Sequence, residues 1–302
     1  MRRRTCRKTN LRERKTKFVD IFRTTPAKTV CPNFFVLAHA NGCGFAPQCE
    51  YCYLKSSFWY LKGHEAFTNV EKIVKETVKW IGEDELESYV LNTGNLSDSL
   101  VFEDARPLVG RLVEVFREEA EAKGRRHILL LVTKGGVRDC EALFERKACA
   151  NVVVSFSVNA PEAARRHESG AATVEDRLEA ARRLKKAGWR VRMRIDPMIA
   201  GFDYAGVIAA IRELGPERVT LGSLRAEASL LRAVNHGMFD GLEKPADRKA
   251  LARYSREERL ALYREAVEGL RDICGMALCE ETEDIWKDLG LDYEAKECNC
   301  AL

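Results

Sequence analysis

The sequence predicts an α/β fold: a parallel sheet with helices outside it, arranged as a partial (β/α)6 TIM-type barrel with a helical C-terminal extension. Three observations predict it. Six strand-like segments alternate with helix-patterned stretches between residues 34 and 221. One of them, residues 127–133, is the kind of apolar run found in strands covered on both faces. Beyond residue 225 the pattern is helical. An open doubly wound sheet would give a similar string, but the first strand–helix loop lacks the G-x-G-x-x-G of a dinucleotide fold.

The first strand is residues 34–38, and a glycine- and proline-marked loop follows it. Asn69 can cap a helix to about residue 81, with Val70, Ile73, Val74, Thr77 and Ile81 on one face and Gly82 at its end. Residues 88–92 form the second strand, and 107–122 a helix with Leu108, Leu112, Val115 and Phe116 as its stripe. Strand 127–133 is followed by a short helix at 140–146 and by strand 151–158. Thr173 and Asp176 make a capping-box-like pair for a helix closed by Gly188. Strand 189–195, helix 205–214 and strand 218–221 complete the alternation, and helices are expected at 224–234, 256–274 and 281–289. The chain divides into a basic N-terminal arm (1–30), a barrel (31–225) and a helical region with a cysteine-rich tail (226–302).

Length and composition bound the function. The 302 residues, 46% of them apolar, suffice for one barrel or two smaller domains. No apolar run reaches the roughly 18 residues needed to span a bilayer. The charged N-terminus has no apolar core of a secretory signal. Eleven cysteines without an export signal point to a reducing cytoplasm, and to cluster or metal use rather than a disulfide frame. Residues 1–30 hold eleven Lys and Arg against Glu13 and Asp20, a net of +9, so the rest of this +4 chain carries −5. Such an arm is either a nucleic-acid contact or a solvated extension.

The chemistry gathers in one loop. Cys43, Cys49 and Cys52 are spaced C-x5-C-x2-C, with Tyr51 and Tyr53 flanking the last. Three thiolates can hold three irons of a 4Fe–4S cluster and leave the fourth iron to a small molecule. The alternative is a zinc knuckle with Cys31 as fourth ligand, in a nucleic-acid-binding protein without enzyme activity.

In barrels, chemistry sits at the C-terminal ends of strands. The second strand ends in Asn92-Thr93-Gly94-Asn95-Leu96-Ser97-Asp98, where Gly94 allows close backbone approach and the Ser-Asp pair by itself reads as a turn with a helix cap. The third ends in Thr133-Lys134-Gly135-Gly136, and a lysine there can pair with a carboxylate. In the fourth, Ser155, Ser157 and Asn159 share a face that points into a polar lumen or bonds within the core. In the fifth, Arg190, Arg192 and Arg194 share a face. Facing a lumen, Arg194 would meet an anionic group; facing solvent, the strand is an amphipathic edge. His39 and His64 flank the cysteine loop and read as structural, and His127, His167 and His236 carry no pattern.

The cysteine loop with Tyr51-Cys52-Tyr53-Leu54, the Ser97-Asp98 pair, and Thr133-Lys134 followed by Ser155-Phe156-Ser157-Val158-Asn159 together resemble radical S-adenosylmethionine (SAM) enzymes, in particular the spore photoproduct lyase family and its DNA-photolyase-like relatives. The resemblance covers residues 34–225. It departs from the usual C-x3-C-x2-C by two extra residues between Cys43 and Cys49. It implies a barrel of the radical SAM type and a 4Fe–4S cluster on Cys43, Cys49 and Cys52, where SAM is reductively cleaved to a 5′-deoxyadenosyl radical that abstracts hydrogen. It implies SAM binding by Ser97, Asp98, Lys134, Ser155 and Ser157, with Arg194 meeting the SAM carboxylate if it faces the lumen. Tyr51 would pack on adenine, and Tyr51 and Tyr53 would relay a radical. The implied substrate is nucleic acid, with RNA, a peptide or a small molecule as alternatives, and an electron donor such as flavodoxin or ferredoxin is needed.

One departure bears on the reaction. The family's hydrogen-donating cysteine stands two residues before the Ser of the Ser-Asp pair, and here that residue is Asn95. The C-terminal cysteines offer substitutes. Cys298 and Cys300 could donate hydrogen by closing the tail over the barrel mouth, or join Cys274 and Cys279 at a second cluster.

Overall fold

The computed structural model describes residues 9–23, 26, 28–234, 237–247, 250–294 and 300; Cys298, His236 and the first eight residues of the arm lie outside them. Two strands, Asn10–Arg12 (β1) and Val19–Phe22 (β2), fall inside the basic arm. Phe34–Leu37 (β3) and Ala40–Asn41 (β4) lead into the cysteine loop, and a single turn Leu54–Ser57 (α1) and Glu65–Phe67 (β5) follow it. The alternation then runs Val70–Ile81 (α2), Val90–Asn92 (β6), Val109–Phe116 (α3), Ile128–Thr133 (β7), Glu141–Phe144 (α4), Val152–Val158 (β8), Pro161–His167 (α5), Val174–Lys186 (α6), Arg190–Met198 (β9), Ala205–Leu214 (α7) and Arg218–Ser223 (β10). The C-terminal part adds Arg225–Ala226 (β11), Ala228–Ala233 (α8), Ala252–Arg253 (β12), Arg256–Leu270 (α9), Gly275–Leu278 (β13) and Glu283–Asp288 (α10).

The six predicted strands lie side by side in chain order, β3-β6-β7-β8-β9-β10, every neighbouring pair parallel. That order separates the two expectations. A doubly wound sheet reverses direction at a switch point, whereas this sheet winds one way, as a partial barrel does. The sheet stays open: β2 pairs antiparallel with β3 at one edge, β13 pairs parallel with β10 at the other, and no closed barrel forms among the described residues. The C-terminal extension is therefore not all helix, because β13 adds a seventh parallel strand.

Side-chain alternation assigns the two faces. Leu129, Leu131, Val154, Phe156, Val158, Val191, Met193, Ile195, Val219 and Leu221 join the large core that also takes in the helices. Burying each such side chain contributes about 1.5–3 kcal/mol. The opposite face starts apolar, with Val90, Ile128, Leu130 and Val153. It turns polar toward the C-terminal ends, where Ser155 lies beside Arg192 and Ser157 beside Arg194 in register. The arginine face and the serine face are thus one face of the sheet, turned away from the main core.

Local signals explain most boundaries. Thr173 caps α6 by accepting the Asp176 N–H at 3.2 Å. Asn69 occupies the N-cap of α2, but its Oδ1 accepts the Arg14 N–H at 2.6 Å instead of capping the helix. The helix expected over 107–122 is α3 continued by a π-helical turn, Arg117–Glu121. No helix among the described residues is long and apolar enough to cross a membrane. A second, three-stranded sheet has the order β1-β5-β4. It ties the basic arm to the strand that enters the cysteine loop and to the strand that leaves the aromatic segment after it.

Candidate active site

The cysteine loop is fastened from two sides. Gly42 N–H donates to the Leu96 carbonyl at 2.9 Å, and Asp98 N–H to the Cys43 carbonyl at 3.1 Å, which joins the loop to the end of β6. On the other side, Glu50 N–H donates to the His167 carbonyl at 2.9 Å, and the Glu50 carboxylate meets His167 Nδ1 at 2.6 Å. Gly44 sits at φ +88°, where a Cβ would overlap Val101 and Phe102, so a glycine is required beside Cys43. His167, which carried no pattern in sequence, is a tether of this loop.

Cys49 is buried, and Cys43 and Cys52 are half-buried. Burial pushes the Cys43 thiol well up, and the neighbouring Cys52 and Cys49 push it further. Burial, and then Glu168, push Cys49 up to about 12. Three thiols that sense one another and resist ionisation alone form a donor set that a cationic centre would deprotonate. Among the described residues no three His, Cys, Asp or Glu side chains converge as a single metal ion would need. A 4Fe–4S cluster takes each thiolate at a different iron, and three cysteines carried on one loop would suit it.

The end of β6 carries Ser97 and Asp98, both buried. Asp98 Oδ1 accepts from Leu100 N–H and the Thr133 hydroxyl, each at 2.9 Å, and Oδ2 accepts from Lys134 N–H at 2.8 Å. Burial raises its pKa to about 6 against these bonds. Oδ2 keeps one lone pair for a further donor. Ser97 Oγ lies 3.0 Å from His39 Nε2. Arg106 donates to His39 Nδ1 at 3.0 Å, which leaves the ring proton on Nε2, shared between Ser97 and the Thr93 carbonyl at 3.1 Å. Burial, and then Arg106, hold His39 down to about 3, so the ring is neutral. Ser97 therefore accepts from His39 and keeps its own proton to donate.

Lys134 has a partner within the chain. Its ammonium donates to Glu168 at 3.0 Å and to the Tyr51 oxygen at 3.2 Å, and Tyr51 in turn donates to Glu168. Arg177 reaches the same carboxylate at 2.6 Å and Asn159 at 3.2 Å. Burial alone would raise the Glu168 pKa, but Lys134 and Arg177 hold it well below the usual carboxylate range. Tyr51 is thus a buried, hydrogen-bonded side chain of this network. Ser155 is fully buried, and the Ser157 carbonyl accepts from Arg177 at 3.0 Å.

A second charged group lies at the ends of β9, β10 and β13. Asp196 accepts from Arg194 at 2.5 Å and from Arg225 at 2.8 Å, and Arg225 also meets Glu280. Both guanidiniums approach Cys279 Sγ, at 3.3 Å from Arg194 and 3.2 Å from Arg225. Burial opposes the Arg194 charge, but Cys279, Asp196 and Cys300 more than offset it. Arg194 is therefore charge-matched by Asp196 and is brought together with two of the C-terminal cysteines. Tyr53 donates to the Asn95 carbonyl. Sequence reasoning missed Glu168, Arg177, Asp196, Arg225 and the Arg106–His39 pair; the only available signal was a carboxylate near the end of a strand or helix.

The family model described as "Spore photoproduct lyase" matches residues 9–214. The chain is 25% identical over 164 residues to a spore photoproduct lyase of Bacillus subtilis (strain 168), a stretch covering 54% of this chain and 45% of that protein. It is 23% identical over 184 residues to a spore photoproduct lyase of Clostridium acetobutylicum, covering 61% and 52%. The matches thus span about half the length of these curated relatives. In fold, the chain is similar to spore photoproduct lyase complexed with dinucleoside spore photoproduct, with a TM-score of 0.69 at 17% identity over 91% of this chain and 82% of that one. It is also similar to Streptococcus suis SuiB bound to S-adenosylmethionine, with a TM-score of 0.50 at 10% identity over 83% and 51%.

Proposed function

The chain belongs to the spore photoproduct lyase family, and from that premise we propose that it is a radical SAM enzyme acting on a photolesion in nucleic acid. The observation that carries the reading is the bond from Asp98 N–H to the Cys43 carbonyl at 3.1 Å. It joins the cysteine loop to the strand end that carries Ser97 and Asp98, so a group held by the three thiolates would neighbour a ligand held there. Cys43, Cys49 and Cys52 would hold the cluster and leave one iron to SAM. When bound, cluster and SAM would supply the carbon-centred radical for hydrogen abstraction.

The chain's own residues bind and orient. Asp98 Oδ2 takes the ammonium of SAM, and the Ser97 hydroxyl donates to its carboxylate. Lys134 has one donor left after Glu168 and Tyr51, which it would offer to the same ligand. Ser155, Ser157 and Asn159 line the polar face below. Tyr51 bonds both Lys134 and Glu168, and Tyr53 borders Asn95. The nucleic-acid substrate class is supported by the relative that is complexed with a dinucleoside photoproduct. A small electron-transfer protein such as flavodoxin or ferredoxin supplies the electron.

Two outcomes test this reading. Asp98→Ala and Lys134→Ala should each weaken SAM binding about 10- to 100-fold, the worth of one charge-assisted hydrogen bond. Iron content should stay that of the wild type. Calorimetry on reconstituted protein measures this, and unchanged affinity in both variants removes the two residues from the site.

The second outcome concerns the reaction. Asn95 has no S–H bond to donate, and among the described residues the C-terminal thiols near that end of the sheet are Cys279, held by Arg194 and Arg225, and Cys300. Conversion of spore photoproduct to two thymines should therefore be slow and accompanied by side products in wild-type protein. Product analysis on a lesion-bearing oligonucleotide checks it. Rapid, clean repair would show that Asn95 imposes no deficit.

A further inference from the structure

Large apolar side chains exposed among the described residues are Leu11, Tyr53, Trp59 and Tyr60, at 52, 45, 78 and 58% exposure. The three aromatics follow the cysteine loop directly. Leu11 sits in β1, paired with Ala66 of β5, the strand that ends the same segment. Exposed apolar surface is therefore gathered beside the candidate active site instead of scattered. Trp59 and Tyr60 meet edge-on at 6.1 Å, and Phe58 and Tyr60 at 6.3 Å. Next to these rings is a cavity of about 180 Å³ lined by Gly42, Lys55, Phe58, Trp59, Leu61 and His64 among others. Small-molecule sites are usually about 300–1,000 Å³, so this one suits a single ring.

Cations outnumber carboxylates around it. Residues 51–64 contain Lys55 and Lys62 and no Asp or Glu. β1 brings Arg12 alongside, held by Glu65 at 2.9 Å, and Arg14, Lys15 and Lys17 follow on the same arm. Flat aromatic faces beside a run of cations suit a strand that offers both bare bases and phosphates.

We propose that Trp59 and Tyr60 form a stacking platform for unpaired nucleobases, with the strand's phosphates running along Lys55, Lys62 and the basic arm. The proposal rests on the nucleic-acid reading of the substrate. A duplex hides its base faces in the stack, so the platform selects single-stranded or locally opened nucleic acid. It also gives the arm an anchored place: the small β1-β5-β4 sheet holds it against the segment that carries the rings.

Trp59 provides its own probe, because Trp80, Trp189 and Trp286 are each 2% exposed. Titrating reconstituted protein with a short oligothymidylate should quench the exposed tryptophan emission, and Trp59→Phe should remove that change. The double variant Trp59→Ala/Tyr60→Ala should bind the oligonucleotide at least about tenfold more weakly, with iron content, SAM affinity and melting temperature unchanged. A duplex of the same length should bind more weakly than the single strand. Undiminished binding in the double variant, or binding without quenching, overturns the platform alone. Failure of the wild type to bind any nucleic acid overturns the nucleic-acid reading and the platform together. A concentration-dependent dimer abolished in the double variant, with oligonucleotide affinity intact, makes the patch an interface between copies and overturns the proposal.

Discussion

Cys43→Ala, Cys49→Ala and Cys52→Ala proteins, each reconstituted anaerobically with iron and sulfide, should fall from about four irons per chain to below one and lose SAM cleavage to background. The loss should be all-or-none because each thiolate holds a different iron and no other thiol stands in the loop. Cys49 is the sharpest case. It is buried, and Glu168 opposes its ionisation without a metal, so its side chain has no solvent-facing role to confuse the result. The fold should survive, since the loop is held by backbone bonds to Leu96, from Asp98 and to His167 rather than by the thiols. Far-UV circular dichroism, iron analysis and visible absorption together check this. Full iron and activity in Cys49→Ala would remove the loop from the cluster.

The second large effect falls on stability. Glu168→Ala should cost about 3–5 kcal/mol, the usual loss when one partner of a buried ion pair is removed. Its side chain is fully buried, as is that of Arg177 at 2.6 Å, and Lys134 at 3.0 Å is nearly so. Truncation leaves two cations facing each other with Tyr51 and Asn159 deprived of their acceptor. Urea unfolding of the variant measures the loss through its midpoint. A change below about 1 kcal/mol would mean that the network behaves as a surface salt bridge and does not organise the site.

The residues that could be read in sequence are those whose signal is local. Strand alternation at 151–158 and the apolar run at 127–133 gave β8 and β7 within one or two residues. The cysteine spacing marked its loop without any tertiary information. β13 escaped because Gly275-Met276-Ala277-Leu278 is too short to tell a buried strand from a piece of helix. β1 and β5 escaped because their pairing joins segments 55 residues apart in a small sheet with no periodic pattern. Glu168 was invisible for the same physical reason. Its partners Tyr51 and Lys134 lie 117 and 34 residues away in the chain, and only the fold makes them neighbours. The three arginines of β9 could be placed on one face by their period of two. Their meaning depended on carboxylates that the period does not reveal: Glu217 beside Arg190 and Arg192, and Asp196 beside Arg194.

The most direct test of the account is anaerobic incubation of the reconstituted wild-type protein with SAM and dithionite, followed by chromatography for 5′-deoxyadenosine. The expected result is 5′-deoxyadenosine and methionine in equal amounts, formed only with reductant and absent in Cys52→Ala. A colourless, zinc-loaded protein that leaves SAM intact under these conditions would contradict it.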